Sequence, residues 1–141
     1  WSSNDRGVAA VSGNGTVTGK GIGYTTISAS SIDGSNKSQS TTVVVKPAKI
    51  AMKSVKLTKR DKRKITIKVK GQKGASYQYQ YATNKKFKKS KSIRSEYLST
   101  TTMRRLAKKK KYYVRVRGYV TYDGKNYYGA WSKVKTIRTK K

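Results

Sequence analysis

From residue 64 onward the chain alternates. Ile65, Ile67 and Val69 interleave with Lys64, Lys68 and Lys70, and Tyr77, Tyr79 and Tyr81 with Gln78 and Gln80. Tyr112, Val114, Val116 and Gly118 interleave with Tyr113, Arg115, Arg117 and Tyr119. Successive strand side chains point to opposite faces, so a period of two with one polar face describes sheets packed on one side. Disorder is the competing reading for a chain that is 28% charged and only 34% hydrophobic. It gives no reason for strict alternation. Tyr, Val, Thr and Ile, in which the chain is rich, suit pleated half-buried surfaces, and no long run has helical apolar spacing. The fold class expected is all-β.

Charge divides the chain unevenly. Lys and Arg number 35 against 5 Asp and Glu, a formal net charge of +30. Only Arg6, Lys20, Lys37 and Lys46 stand against Asp5 and Asp33 in residues 1–46, so that stretch carries +2 and the remainder +28. Pro47 sits at the change, and Lys46-Pro47-Ala48-Lys49 reads as a short extended linker. The expected organisation is one unit over 1–46 and a second over 47–141. A surface this basic favours anionic polymers as partners: wall polymers, acidic polysaccharides, nucleic acid or anionic lipid.

The same composition disfavours catalysis. Without His or Cys the usual nucleophile activators, thiolate metal sites and disulfides are missing. Asp5, Asp33, Asp61, Glu96 and Asp123 are scattered, and all but Glu96 sit in turn-like contexts such as Asp33-Gly34 and Asp123-Gly124. Gly19, Gly21 and Gly23 alternate without the strand-then-helix context of a phosphate loop. No cofactor and no metal site is expected. No stretch reaches the roughly 18 apolar residues of a membrane-spanning helix. The start at Trp1, without an initiator Met, reads as a fragment or a processed product.

In the first unit, Val8 to Val11 and Thr16 to Thr18 are expected to pair through Ser12-Gly13-Asn14-Gly15, a strong hairpin signal. Strands over residues 24–30 and 39–45 flank an Asp33-Gly34 turn, giving about four in all. Trp1-Ser2-Ser3-Asn4, Val8-Ala9-Ala10-Val11, residues 14–20, residues 23–29 and Thr42-Val43-Val44-Val45 resemble the bacterial Ig-like group 2 domain. The resemblance implies a sandwich found in bacterial and phage surface proteins. Here it lacks the family's opening strands, so a bare sheet edge and an uncovered apolar face are expected. Either an upstream segment or a strand from another copy would complete it.

The second unit resembles a fibronectin type III domain over roughly residues 48–139, in the Lys-rich form of Gram-positive surface proteins. The residues that carry this are 74–83, Lys86-Phe87-Lys88-Lys89, Leu106 with residues 112–117, and Gly129-Ala130-Trp131-Ser132-Lys133-Val134. Leu106 and Tyr112 match the family's tyrosine corner, in which a buried hydroxyl bonds to nearby backbone. Val69 stands where the family has a Trp, so Trp131 and the three tyrosines of 77–81 are expected to fill the core. The whole reads as two immunoglobulin-like β-sandwich units in tandem, the first lacking its N-terminal strands.

Candidate binding residues follow from the outward positions. Tyr113, Tyr119, Arg115 and Arg117 alternate outward, with Tyr122, Tyr127 and Tyr128 nearby. Lys85, Lys86, Lys88 and Lys89, and Lys108, Lys109, Lys110 and Lys111, form basic runs expected mainly in loops and on outward strand positions, as do Lys59-Arg60 with Lys62-Arg63-Lys64 and Arg104-Arg105. Such runs also serve simply as a solvated surface that protects sheet edges. The function these features imply is a non-catalytic structural or adhesive module of an exported bacterial surface protein, at the cell surface or in the cell wall. An extracellular filament subunit completed by a neighbour's strand is the first alternative. Non-specific nucleic-acid binding is the second, weakened by the absence of any recognised nucleic-acid motif.

Overall fold

The computed structural model describes residues 1–51, 53, 55–61 and 63–141, without the side chains of 59–61. Of the basic run at 59–64, Lys62 and the side chains of Lys59 and Arg60 therefore lie outside the described residues, as does the carboxylate of Asp61. Thirteen strands and no α-helix are formed among the described residues. The chain is an all-β, immunoglobulin-like sandwich protein.

The first five strands are β1 (Ser2–Ser3), β2 (Ala9–Val11), β3 (Val17–Gly19), β4 (Gly23–Ser30) and β5 (Ser38–Val45). They form a three-stranded sheet in the order β1-β4-β5 and a separate β2–β3 hairpin. The Ser12–Gly15 turn closes that hairpin as the Asn-Gly signal foretold, with Gly15 at φ 83° and its amide donating to the Ser12 carbonyl at 3.0 Å. Thr25 and Ile27 are buried, so this side of β4 faces inward. The expected uncovered apolar face is a partial correction. The hairpin folds over the sheet, the Ser3 hydroxyl donating to the Ala9 carbonyl at 2.7 Å, so Ala9 and Ile27 are sealed within this chain. The bare edge is present: among the described residues β5 has a sheet partner, β4, on one side only.

The second region holds β6 (Val55–Asp61), β7 (Lys64–Val69), β8 (Ser76–Ala82), β9 (Lys91–Ser95), β10 (Thr100–Met103), β11 (Lys111–Tyr122), β12 (Lys125–Tyr128) and β13 (Lys135–Arg138). A sheet in the order β10-β7-β6 faces a five-stranded one, β12-β11-β8-β9, with β13 also pairing β11. Ile65, Ile67, Val69, Tyr77, Tyr79, Val114 and Val116 meet between them. Tyr77 and Tyr79 are among the largest fully buried side chains, so the tyrosine stripe is core. Their hydroxyls are not wasted: the Gln72 amide donates to Tyr77 Oη at 2.5 Å, and Tyr79 Oη donates to the Leu98 carbonyl at 3.2 Å. The tyrosine corner is present, the Ala107 amide donating to Tyr112 Oη at 2.9 Å while Leu106 is buried.

Where the first five strands meet the rest, Tyr24 packs on Tyr122 with ring centroids 4.7 Å apart, and Thr42 Oγ1 hydrogen-bonds Tyr122 Oη at 3.1 Å. Pro47 is buried. It lies so close to Gly118 that a Cβ there would come within 2.6 Å of the proline Cβ, and its carbonyl crowds Gly129 in the same way.

Candidate functional site

The outer face of the larger sheet presents Arg115 and Arg117 of β11, and β8 supplies their partners by register. Arg115 stands opposite Gln80 and Arg117 opposite Gln78. Arg115 Nε donates to Gln80 Oε1 at 2.6 Å and Arg117 Nε to Gln78 Oε1 at 2.8 Å. Both guanidiniums also sit over aromatic rings. Arg115 lies 4.3 Å from the Phe87 centroid and 4.4 Å from Trp131, while Arg117 lies 4.3 Å from Trp131 and 3.6 Å from Tyr128. The result is a ladder in the order Phe87, Arg115, Trp131, Arg117, Tyr128. Burial lowers both guanidinium pKa values from the ordinary range.

Trp131 reaches this ladder because the chain between β12 and β13 is pinned by one residue. The Ser132 amide donates to the Val116 carbonyl at 2.8 Å, and the Val116 amide donates to Ser132 Oγ at 3.0 Å. This corrects the expectation that Trp131 fills the core: it is half-buried and stacked outside the sheet. The arginines are committed on both faces and at Nε, so the ladder is structural cement before it is a binding surface.

Tyr119 requires a second correction. It lies on the outward side of β11, yet only 3% of it is accessible. Tyr128, its register partner on β12, stacks on it at 5.5 Å, and burial raises its pKa, with Glu96 adding to the rise. A ligand cannot use it as a platform. Tyr113 is half-buried, with Lys111 Nζ 5.4 Å over its ring, and Tyr122 is engaged by Tyr24.

The lysine runs behave differently. Lys85, Lys86, Lys88 and Lys89 are exposed on the β8–β9 loop, which is held by Asn84 donating to and accepting from the Lys88 backbone at 2.9 and 3.0 Å. Phe87 turns under the loop at φ 54°, buried against Arg115. Lys108, Lys109, Lys110 and Lys111 are exposed at the start of β11, where Thr139 Oγ1 accepts the Lys110 amide at 2.9 Å. Tyr113 pairs with Ala82, the last residue of β8. Both lysine runs therefore emerge at one end of the larger sheet, joined there by Arg138, which pairs with Lys111. Arg63 reaches the same end, since the Leu106 amide donates to its carbonyl at 3.1 Å. Sequence reasoning found these lysines. It missed Gln78, Gln80, Phe87 and Trp131 as partners of the arginines, although alternating Gln opposite alternating Arg was a usable signal.

Asp5, Asp33 and Asp123 sit in turns as read, whereas Asp61, read the same way, is the last residue of β6 and pairs with Lys64. Asp5 Oδ1 accepts the Gly7 amide and Asp33 Oδ1 the Ser35 amide, which helps lower the Asp33 pKa, while Asp123 turns the chain at φ 49°. Among the described residues no group of three or more acids gathers that could hold a metal ion.

No family model matches the chain, and no curated protein matches it. Solved structures do. The FN5 domain of Drosophila Lar is similar with a TM-score of 0.52 at 14% identity, over 67% of this chain and 98% of that one. The chicken CNTN1 FN1–FN3 domains give 0.56 at 14% identity, over 86% of this chain and 56% of that one. An fn3 domain of human contactin 1 gives 0.53 at 18% identity, over 70% of this chain and 87% of that one. These likenesses show a fibronectin type III-like fold.

Proposed function

We propose that this chain is a non-catalytic structural or adhesive module of an exported bacterial surface protein, and that its lysine-bearing end attaches to anionic wall or matrix polymers. In this reading residues 1–46 form a bacterial Ig-like unit and residues 47–141 a fibronectin-type unit of Gram-positive character. The observation that carries it is the gathering of Lys85–Lys89 and Lys108–Lys111 at one end of a rigid sandwich. Eight exposed ammonium groups held on short pinned loops repel one another until a polyanion neutralises them. Cosedimentation with purified Gram-positive walls tests it. Binding should disappear when the walls' anionic polymers are stripped and weaken steadily with salt; binding that survives stripping overturns it.

The open side of β5 supports a second reading, a filament subunit in which a neighbour's strand continues the β1-β4-β5 sheet. Light scattering at rising concentration would show growth beyond a monomer. A strictly monomeric chain ends that reading and leaves the first intact.

A further inference from the structure

The smaller sheet carries a charge arrangement that the attachment surface above does not use. Lys56 of β6 stands directly across from Lys68 of β7, with Thr100 of β10 next in the row. Directly opposed residues have Cα atoms only about 5 Å apart, and like charges so placed destabilise a sheet. Lys70 follows Lys68 two residues on, about 7 Å along the same side. Lys53, Lys56, Lys68 and Lys70, all exposed, line a surface groove of about 460 Å³ with Val69. Among the described residues the lining holds no carboxylate and no aromatic ring.

Edge protection accounts for Lys56 on the edge strand β6 but not for Lys68, because β7 is the central strand of its sheet. The lining also says what kind of anion fits. Among the described lining residues there is no aromatic ring on which a base or sugar ring could stack. A row of lysines carried on backbone positions about 5–7 Å apart instead suits a flexible chain that repeats a phosphate. We propose that this groove binds a phosphodiester-linked polymer without aromatic bases, four lysines neutralising successive phosphates. The proposal rests on the polyanion reading above and assigns it a second, more selective site on the other sheet.

The test titrates poly(glycerol phosphate), oligo-dT and heparin into the full chain at fixed salt. It compares Lys56→Gln/Lys68→Gln with Lys85→Gln/Lys86→Gln, which removes the same charge elsewhere. The groove variant is expected to lose roughly tenfold in affinity for poly(glycerol phosphate), and the loop variant only about twofold. The groove variant should also melt at a higher temperature, since an opposed like-charge pair is gone. Binding falling together with rising stability is not what a merely structural lysine would give. Equal losses in both variants, or tighter binding of oligo-dT or heparin than of the phosphate polymer, overturn the groove while leaving general polyanion attachment standing. Failure of the unaltered chain to bind any of the three overturns both.

Discussion

Two side chains show how a residue's role depends on neighbours it meets only in the fold. Tyr79 was expected in the core from the fibronectin type III resemblance and is core, and burial, then the neighbouring Tyr77, pushes its pKa up from the usual value near 10. A phenol whose folded pKa is raised contributes stability that is fully present below the unfolded pKa of about 10 and is lost as pH rises above it. The urea midpoint should therefore fall above about pH 10. The comparison is with Tyr79→Phe, whose midpoint should fall less steeply; equal slopes would show that Tyr79 contributes nothing there. Trp131, by contrast, was assigned to the core and instead joins two guanidiniums. Trp131→Ala removes two cation–π contacts and half-buried ring area, and is expected to cost about 2–4 kcal/mol, read from denaturant melts. Gln78 and Gln80 keep their Nε bonds in that variant, so the fold should survive with a lower midpoint.

At the scale of elements, β11 is the spine of the second unit: it pairs with β8 along most of its length, with β13 at its start and with β12 at its end. Its alternation was legible because strand periodicity is a local property, set every second residue. Where that alternation changes meaning, at Gly118 and Tyr119, the cause is non-local. Gly118 is small because Pro47 fills the space a side chain would take, and Tyr119 is covered because Tyr128 returns beside it. Gly118→Ala should push Pro47 away and lower stability by about 1–3 kcal/mol. The double variant with Pro47→Gly should lose less than the sum of the single changes, a coupling that a double-mutant cycle of melts would detect. Strict additivity would mean that the contact is not shared.

For the whole molecule the governing quantity is the net charge of +30. Like charges on a compact surface destabilise it, and salt screens them over about 8 Å at physiological strength. Thermal stability should rise between low salt and about 0.3 M NaCl, measured by calorimetry, the reverse of what an ion-pair-stabilised protein would show. Flat stability across that range would mean that the lysines are already too far apart to repel.

The sequence by itself determined the all-β class, the strands around residues 8–11, 16–18, 24–30, 39–45, 64–70, 77–81 and 112–119, the tyrosine core, the tyrosine corner, the turn roles of Asp5, Asp33 and Asp123 and the exposure of the lysines at 85–89 and 108–111. The tyrosine core and corner came from the resemblance to fibronectin type III domains; the rest follow from short-range periodicity, turn chemistry or the cost of burying charge. Only the tertiary structure decided that Arg115 and Arg117 are clamped rather than free, that Tyr119 is shut and that Trp131 lies outside the core. It also decided that Lys56 and Lys68 face each other. Those facts depend on register between strands far apart in the chain, and a one-residue slip in register would place each side chain on the opposite face. The alternation that limits the chain to sheets therefore says which residues point outward, while strand pairing decides what they meet there.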